Sequence, residues 1–130
     1  MPKLHILRGT PGSGKTTTAK AMIADTPNWL HYEADQYHTD KDGNYNWKPE
    51  NVRVAHQWCQ SQVEQSLKNG FDVIVSNTFT TKKEIQPYID ICNRLNCEYE
   101  IILCTGEYQN VHNVPEETLR KMKERFEYDI

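Results

Sequence analysis

Three observations predict an α/β fold, a small parallel sheet with helices on both faces. Four short apolar stretches alternate with segments of helical periodicity. A glycine-rich turn joins the first stretch to the first helix. The third stretch is a continuous β-branched run of the kind that is buried on both sides. The 130 residues suit one compact domain, 1–130, and are too few for two separate cores. At 37% hydrophobic and 25% charged the composition is ordinary for a globular chain, and a domain of this size buries about two thirds of its unfolded surface.

Residues 3–8 read as the first strand, followed by the turn and a helix over 15–24. A second strand is expected at 28–33. Residues 34–48 are polar, with Gly43, Asn44 and Asn46 beside Tyr37, Tyr45 and Trp47, the mark of a long functional loop. Over 50–68, Val52, Ala55, Cys59, Val63 and Leu67 recur at helical spacing, with Pro49 before them and Asn69-Gly70 after as start and stop signals. Residues 71–76 are the third strand. Thr81 and Glu84 fit a capping box, and Ile85, Ile89, Cys92 and Leu95 line the helix it opens. Residues 97–104 read as a fourth strand, and 115–128 as a last helix packed through Leu119, Met122 and Phe126.

The formal charge of −3 excludes a global basic field that grips a long nucleic-acid backbone, so a nucleic-acid partner would be held locally. MPKLHILRG has no charged-then-apolar leader, and no apolar run approaches the roughly 20 residues that span a bilayer. A cytoplasmic protein without membrane contact is expected, a phage or virus being a possible source. Cys59, Cys92, Cys97 and Cys104 form no C-x-x-C pair and fall in buried-looking segments, as reduced core thiols do.

Gly9-Thr10-Pro11-Gly12-Ser13-Gly14-Lys15-Thr16 satisfies G-x-x-x-x-G-K-(S/T) in full. Its glycines let consecutive backbone N–H groups converge on one anion, and the following helix adds its positive end. Lys15 is expected on the β and γ phosphates and Thr16 on Mg²⁺, with nucleotide contacts running from Gly9 through Thr10, Pro11, Gly12, Ser13, Gly14, Lys15 and Thr16 to Thr17. The fold is therefore expected to be the three-layer α/β/α arrangement of kinase-like P-loop NTPases, with Mg²⁺ and a nucleotide, whose base the motif does not read, as cofactors.

Six further elements carry a resemblance: Ala34-Asp35-x-Tyr37, Gly43-x-Tyr45, Ala55-His56-x-Trp58-Cys59, Asn77-Thr78, Glu84-x-x-Pro87-Tyr88, and Val114-Pro115 with Met122 and Arg125. Over nearly its whole length the chain resembles phage-type ATP-binding proteins related to polynucleotide kinase and zeta toxin, of the AAA-type, kinase-like kind. The resemblance implies that Asp35, just past the second strand, takes the proton from the acceptor hydroxyl. Chemistry agrees, since a carboxylate can orient a hydroxyl in line with the γ phosphate and accept its proton late, while the residues alone leave a helix-cap or turn role for Asp35 equally open. Tyr37, Tyr45 and Trp47 would stack on a base or sugar of the acceptor, or pack the loop onto the body. His56 and Trp58 read as a hydrogen-bonded core histidine and a packed indole. Arg53 and His38 read as solvated groups or contacts to a negative acceptor.

Two departures from the pattern stand out. The third strand ends Val75-Ser76-Asn77-Thr78 with no carboxylate, where many P-loop proteins carry an acid for Mg²⁺. Mg²⁺ would then rest on Thr16, the phosphates and waters held by Ser76 or Asn77, with Asp35 as a further ligand. The resemblance also expects a lid arginine before Val114-Pro115. No Lys or Arg lies between Cys104 and Leu119; Gln109 stands near the expected place, and His112 is the one ionisable cation. Arg120, Lys121, Lys123 and Arg125 follow as a solvated helix face. A protein partner would be one source of the missing charge. The leading expectation is an ATP-dependent kinase acting on a hydroxyl, polynucleotide 5′-hydroxyl kinase-like. The alternatives are a nucleotide-binding regulator or partner-binding module with weak or no ATPase activity, and a nucleoside or small-metabolite kinase.

Overall fold

Alternation along two central strands builds the molecule. The structure, a computed structural model, describes residues 2–10, 12–104 and 116–127, the side chains of Leu119, Met122 and Lys123 excepted. Strand β1 (Lys3–Arg8) leads into helix α1 (Lys15–Asp25), then β2 (Leu30–Tyr32), α2 (Val52–Lys68), β3 (Val73–Asn77), α3 (Lys82–Leu95), β4 (Glu98–Leu103) and α4 (Glu116–Arg125). The four strands form one parallel sheet in the order β2-β3-β1-β4.

Successive strand residues face opposite sides. Leu4, Ile6, Val73 and Val75 point to one face, where they pack with Ala55, Cys59, Val63 and Leu67 of α2 and Ile85, Tyr88, Ile91 and Cys92 of α3. Leu7 and Ile74 point to the other, against Ala19, Met22 and Ile23 of α1. A helix on each side explains why β3 is buried at every position and reads as an unbroken apolar run.

The expected elements are present with shifted ends. β2 is three residues rather than the six of 28–33. Trp29 is held outside the ladder by stacking on His5, ring centroids 4.3 Å apart. Beyond Tyr32, the Ala34 amide donates to Asn77 Oδ1 at 2.9 Å and turns the chain into a 3₁₀ segment, Ala34–His38. Residues 34–48 are thus not loop throughout. After the 3₁₀ turn comes a bridge between Thr39 and Tyr45, closed by Asp40 Oδ1 accepting from the amides of Asp42 and Asn44 at 3.0 and 2.9 Å. A second 3₁₀ turn, Pro49–Asn51, precedes α2. β3 starts at Val73 rather than 71, because the Phe71 amide still closes onto Ser66 O at 3.1 Å. Thr81 N donates to Glu84 Oε2 at 2.8 Å, one half of the expected capping box.

Arg8 ends β1 inside the protein, 1% exposed. Its Nε and Nη2 donate to Phe79 O at 3.1 and 2.8 Å, and its guanidinium lies 4.2 Å from the centre of the Phe126 ring. One buried cation therefore ties the end of β1 to the turn after β3 and to the segment after α4. The packing expected of Leu119 and Met122, and the helix start at Pro115, lie outside the described residues. All four cysteines are free, Cys59, Cys92 and Cys104 buried and Cys97 half-buried. Among the described residues no helix is long and apolar enough to cross a membrane.

Candidate functional site: a phosphate cradle at the carboxyl edge

β1 delivers the chain to the carboxyl edge of the sheet, where open α/β folds collect their ligands. Gly9 N donates to Thr78 O at 3.2 Å, which holds the loop against the end of β3. A Cβ on Gly9 would stand 2.2 Å from Ser13 Oγ and 2.7 Å from Cys104 O, so the curl excludes any side chain there. Gly14, at φ 91°, takes a left-handed conformation and opens α1 with no side-chain cap on the first amides. Those amides are left for an anion. Lys15 Nζ donates to Gly9 O and Thr10 O at 2.9 and 3.1 Å. Burial lowers its pKa; the charges of Cys104, Glu33 and Asp35 oppose that shift. Pro11 lies outside the described residues, and Thr17 is exposed.

A carboxylate that sequence reading missed lies at the start of α1. Thr16 Oγ1 donates to Glu33 Oε2 at 2.8 Å, and Ser76 Oγ donates to the same oxygen at 2.9 Å. His31 Nε2 lies 2.6 Å from Ser76 Oγ. With the hydroxyl proton directed to Glu33, Nε2 is the protonated ring nitrogen, and burial lowers the pKa of His31. Alternation explains the gathering. His31 pairs with Ile74 in the sheet, so His31 and Ser76 share the α1 face, and Glu33 lies two residues beyond His31. The legible signal was this period of two, carried past the end of the strand.

Asn77 faces the other way. Besides holding Ala34, its amide nitrogen lies 3.8 Å from Cys59 Sγ of α2. Of the two residues expected near a metal's waters, Ser76 is beside Thr16 and Asn77 fastens the turn that carries Asp35. Asp35 Oδ1 accepts from the Tyr45 hydroxyl at 3.3 Å, and its backbone carbonyl accepts from Thr39 Oγ1 at 3.2 Å. Burial, then the neighbouring Asp35 charge, push the Tyr45 phenol up to about 12.

Tyr37, Tyr45 and Trp47 are 41%, 39% and 51% exposed, arranged around a buried His38 with ring centroids 6.1, 6.2 and 6.4 Å from it. Each ring contacts a neighbouring ring and keeps an exposed part, so packing onto the body leaves part of each ring open to solvent. His38, Tyr37, Asn46, Lys48 and Asn51 line a shallow depression of ≈ 200 Å³. His56 is exposed on α2 rather than a core histidine, although surrounding protein lowers its pKa by desolvation. Trp58 packs as expected, 6.2 Å from Tyr32 and 6.0 Å from Tyr37. Arg53 is exposed.

Gln109, His112, Val114 and Pro115 lie outside the described residues. On α4, Arg120 and Lys121 pair with Glu124 and Glu117 at 2.9 and 3.8 Å, as a solvated face does. Among the described residues no group of three or more His, Cys, Asp or Glu could hold a metal. The arrangement offers backbone amides, one lysine, hydroxyls and two carboxylates at one edge, the requirements of phosphoryl chemistry.

The chain is 24% identical to human NEDD4-binding protein 2 over 136 residues, 95% of this chain and 8% of that protein. Among solved structures, a chain of the Pnkp1/Rnl/Hen1 complex is 26% identical with a TM-score of 0.68, over 92% of this chain and 38% of that one. APS kinase CysC from Mycobacterium tuberculosis shares the fold at 11% identity and a TM-score of 0.66, over 95% and 96% of the two chains. That enzyme has also been solved with AMPPNP and APS. This chain therefore spans well under half of the first two relatives. An α/β P-loop fold with kinase-like neighbours is accordingly shared along almost its full length, and the model of the AAA domain family AAA_33 matches residues 4–128: the chain belongs to that family.

Proposed function

We propose that the chain is an ATP-dependent phosphotransferase that moves the γ phosphate of ATP to a hydroxyl, with a nucleic-acid 5′-hydroxyl as the favoured acceptor. The observation that carries this reading is the placement of Asp35. It stands on the turn beyond β2, held by Asn77 through Ala34, and its charge is felt by Lys15 of the cradle. Lys15 would neutralise phosphate charge. Asp35 would orient the acceptor hydroxyl and take its proton. Exposed faces of Tyr37, Tyr45 and Trp47 beside Asp35 suit a base or sugar, which favours a nucleoside or strand end over a compact metabolite. Likeness to a chain of the Pnkp1 complex supports the same direction, and the APS kinase bound to AMPPNP supports nucleotide as donor.

Mg²⁺ would supply charge neutralisation between the β and γ phosphates. The donor set fits it. Thr16 Oγ1, Ser76 Oγ and the Glu33 carboxylate are all oxygens, the type that Mg²⁺ takes, and their small number suits an ion that keeps waters and borrows substrate phosphates.

One observation favours a second reading. No Lys or Arg lies between Cys104 and Leu119, so that segment supplies no arginine to the charge on the moving phosphoryl group. Such a residue is worth about 10³–10⁵ in rate. A regulator with slow turnover, or a kinase completed by a partner's arginine, follows from that gap. The deciding test is Asp35→Ala. A kinase loses transfer by about 10²–10⁴-fold while nucleotide affinity stays within a few fold. Unchanged transfer removes Asp35 from the mechanism.

A further inference from the structure

We propose that Glu33 is the carboxylate of this chain's Mg²⁺ site, supplying from the end of β2 the charge that other P-loop proteins supply from the end of β3; this rests on the phosphotransferase reading. β3 ends in Ser76 and Asn77, neither of which carries charge. Asn77 is turned away, engaged with Ala34 and facing Cys59. Ser76 occupies the place and face from which an acid would reach the cradle, and it gives its proton to Glu33. The negative charge missing from one strand thus stands on the neighbouring strand's continuation, one hydrogen bond away.

Distances support the assignment. Glu33 Oε2 is 2.8 Å from Thr16 Oγ1, the hydroxyl that the P-loop motif devotes to Mg²⁺. Adjacent ligands of an octahedral ion with bonds of 2.0–2.1 Å are separated by about 2.9 Å, so the two oxygens stand as neighbouring ligands would. Glu33 binds the ion or one of its waters, and Ser76 keeps the carboxylate aimed.

Local charge supports it too. Both hydrogen-bond donors on Glu33 Oε2 are neutral hydroxyls. Among the described residues the basic group within ion-pairing distance of Glu33 is His31, at 3.9 Å, its side chain 14% exposed against 19% for Glu33; the Lys15 ammonium feels the Glu33 charge from farther off and is itself held by Gly9 O and Thr10 O. A carboxylate removed from most of its water, beside a weak base, gains from a dication.

The test uses Mn²⁺ as a probe, because bound and free Mn²⁺ are distinguished by electron paramagnetic resonance without any acceptor or turnover. Mn²⁺ is titrated into the protein with ADP, and ADP affinity is measured separately without metal. Glu33→Gln is expected to weaken Mn²⁺ by at least tenfold, while metal-free ADP affinity stays within twofold. The exchange variant, Glu33→Ser with Ser76→Asp, is expected to recover Mn²⁺ affinity to within about threefold of the wild type. Mn²⁺ affinity within twofold of wild type in Glu33→Gln overturns the proposal. So does a parallel loss of metal-free ADP affinity, which is the result of a purely structural Glu33. If Glu33→Gln does not fold, the exchange variant decides alone: tight Mn²⁺ supports the site and its loss overturns it. A wild-type protein that binds no nucleotide sinks both this and the phosphotransferase reading. Nucleotide binding with an unaltered Mn²⁺ response sinks only the role of Glu33.

Discussion

Lys15 and Glu33 show how differently two side chains with proposed functions announce themselves. Lys15 is fixed by a local motif, because the loop that cradles phosphate is built by glycines within six residues of it. Glu33 belongs to no local motif. Its role depends on a sheet neighbour 43 residues away, Ser76, and on the face shared with α1. Asp35 lies between these cases: a resemblance located it, and the Asn77 clamp explains its posture. The Lys15 ammonium also carries a pH signature. Burial lowers its pKa in the free protein, whereas bound phosphate would favour the charged form. Nucleotide affinity is therefore constant below the free-protein pKa and falls as pH rises through it, with proton uptake on binding. Calorimetry in two buffers of different ionisation enthalpy measures that uptake, and Lys15→Ala should abolish both the uptake and most of the affinity.

Elements were legible where periodicity was long, and less so where tertiary contacts set their ends. The core positions of α2 recur over 17 residues and were plain. The three residues of β2 were over-read, because the Asn77 contact that turns the chain at Ala34 comes from another strand. Nor does the sequence announce Arg8 as an interior residue, since its partners are backbone carbonyls of Phe79 and Thr80 more than 70 positions away. Its fork fits those carbonyls and its flat group lies on Phe126, a geometry lysine does not reproduce. Arg8→Ala is expected to cost about 2–4 kcal/mol, since buried carbonyls lose their donor and a cavity opens. Arg8→Lys should recover less than half of that loss in urea unfolding. Glu84→Ala, which breaks one half of the cap on α3, is expected to cost only about 1 kcal/mol by the same measurement.

At the scale of the whole molecule, the sheet's two ends have different work. The carboxyl end carries the cradle, Glu33 and Asp35. On the α1 side, farther from the cradle, His5 ties the strands together, its Nδ1 2.7 Å from Glu100 Oε1 on β4 and its Nε2 3.4 Å from Asp72 Oδ2 before β3. The His5 hydrogen bond, aided by Lys3, holds the Glu100 carboxyl below its usual value near 4.5. A carboxyl lowered in the folded state stabilises the fold above that ordinary value, and the contribution is lost as pH falls through the lowered one. Wild-type and Glu100→Gln proteins should therefore differ most in urea midpoint near neutral pH and converge in acid. A parallel sheet was foreseeable from four apolar stretches separated by helices; its order, β2-β3-β1-β4, was not, because nothing in one strand names its neighbours. That order brings the ends of β1, β2 and β3 side by side and so assembles the site.

The central claim is phosphoryl transfer to a hydroxyl, and transfer of label from γ-labelled ATP with Mg²⁺ tests it most directly. The acceptors offered would be 5′-hydroxyl DNA, 5′-hydroxyl RNA, nucleosides and water. We predict label on an oligonucleotide end, lost in both Lys15→Ala and Asp35→Ala. Label on a nucleoside alone would keep the phosphotransferase and change its acceptor. Nucleotide binding with label on no acceptor would contradict the account and leave a nucleotide-dependent regulator.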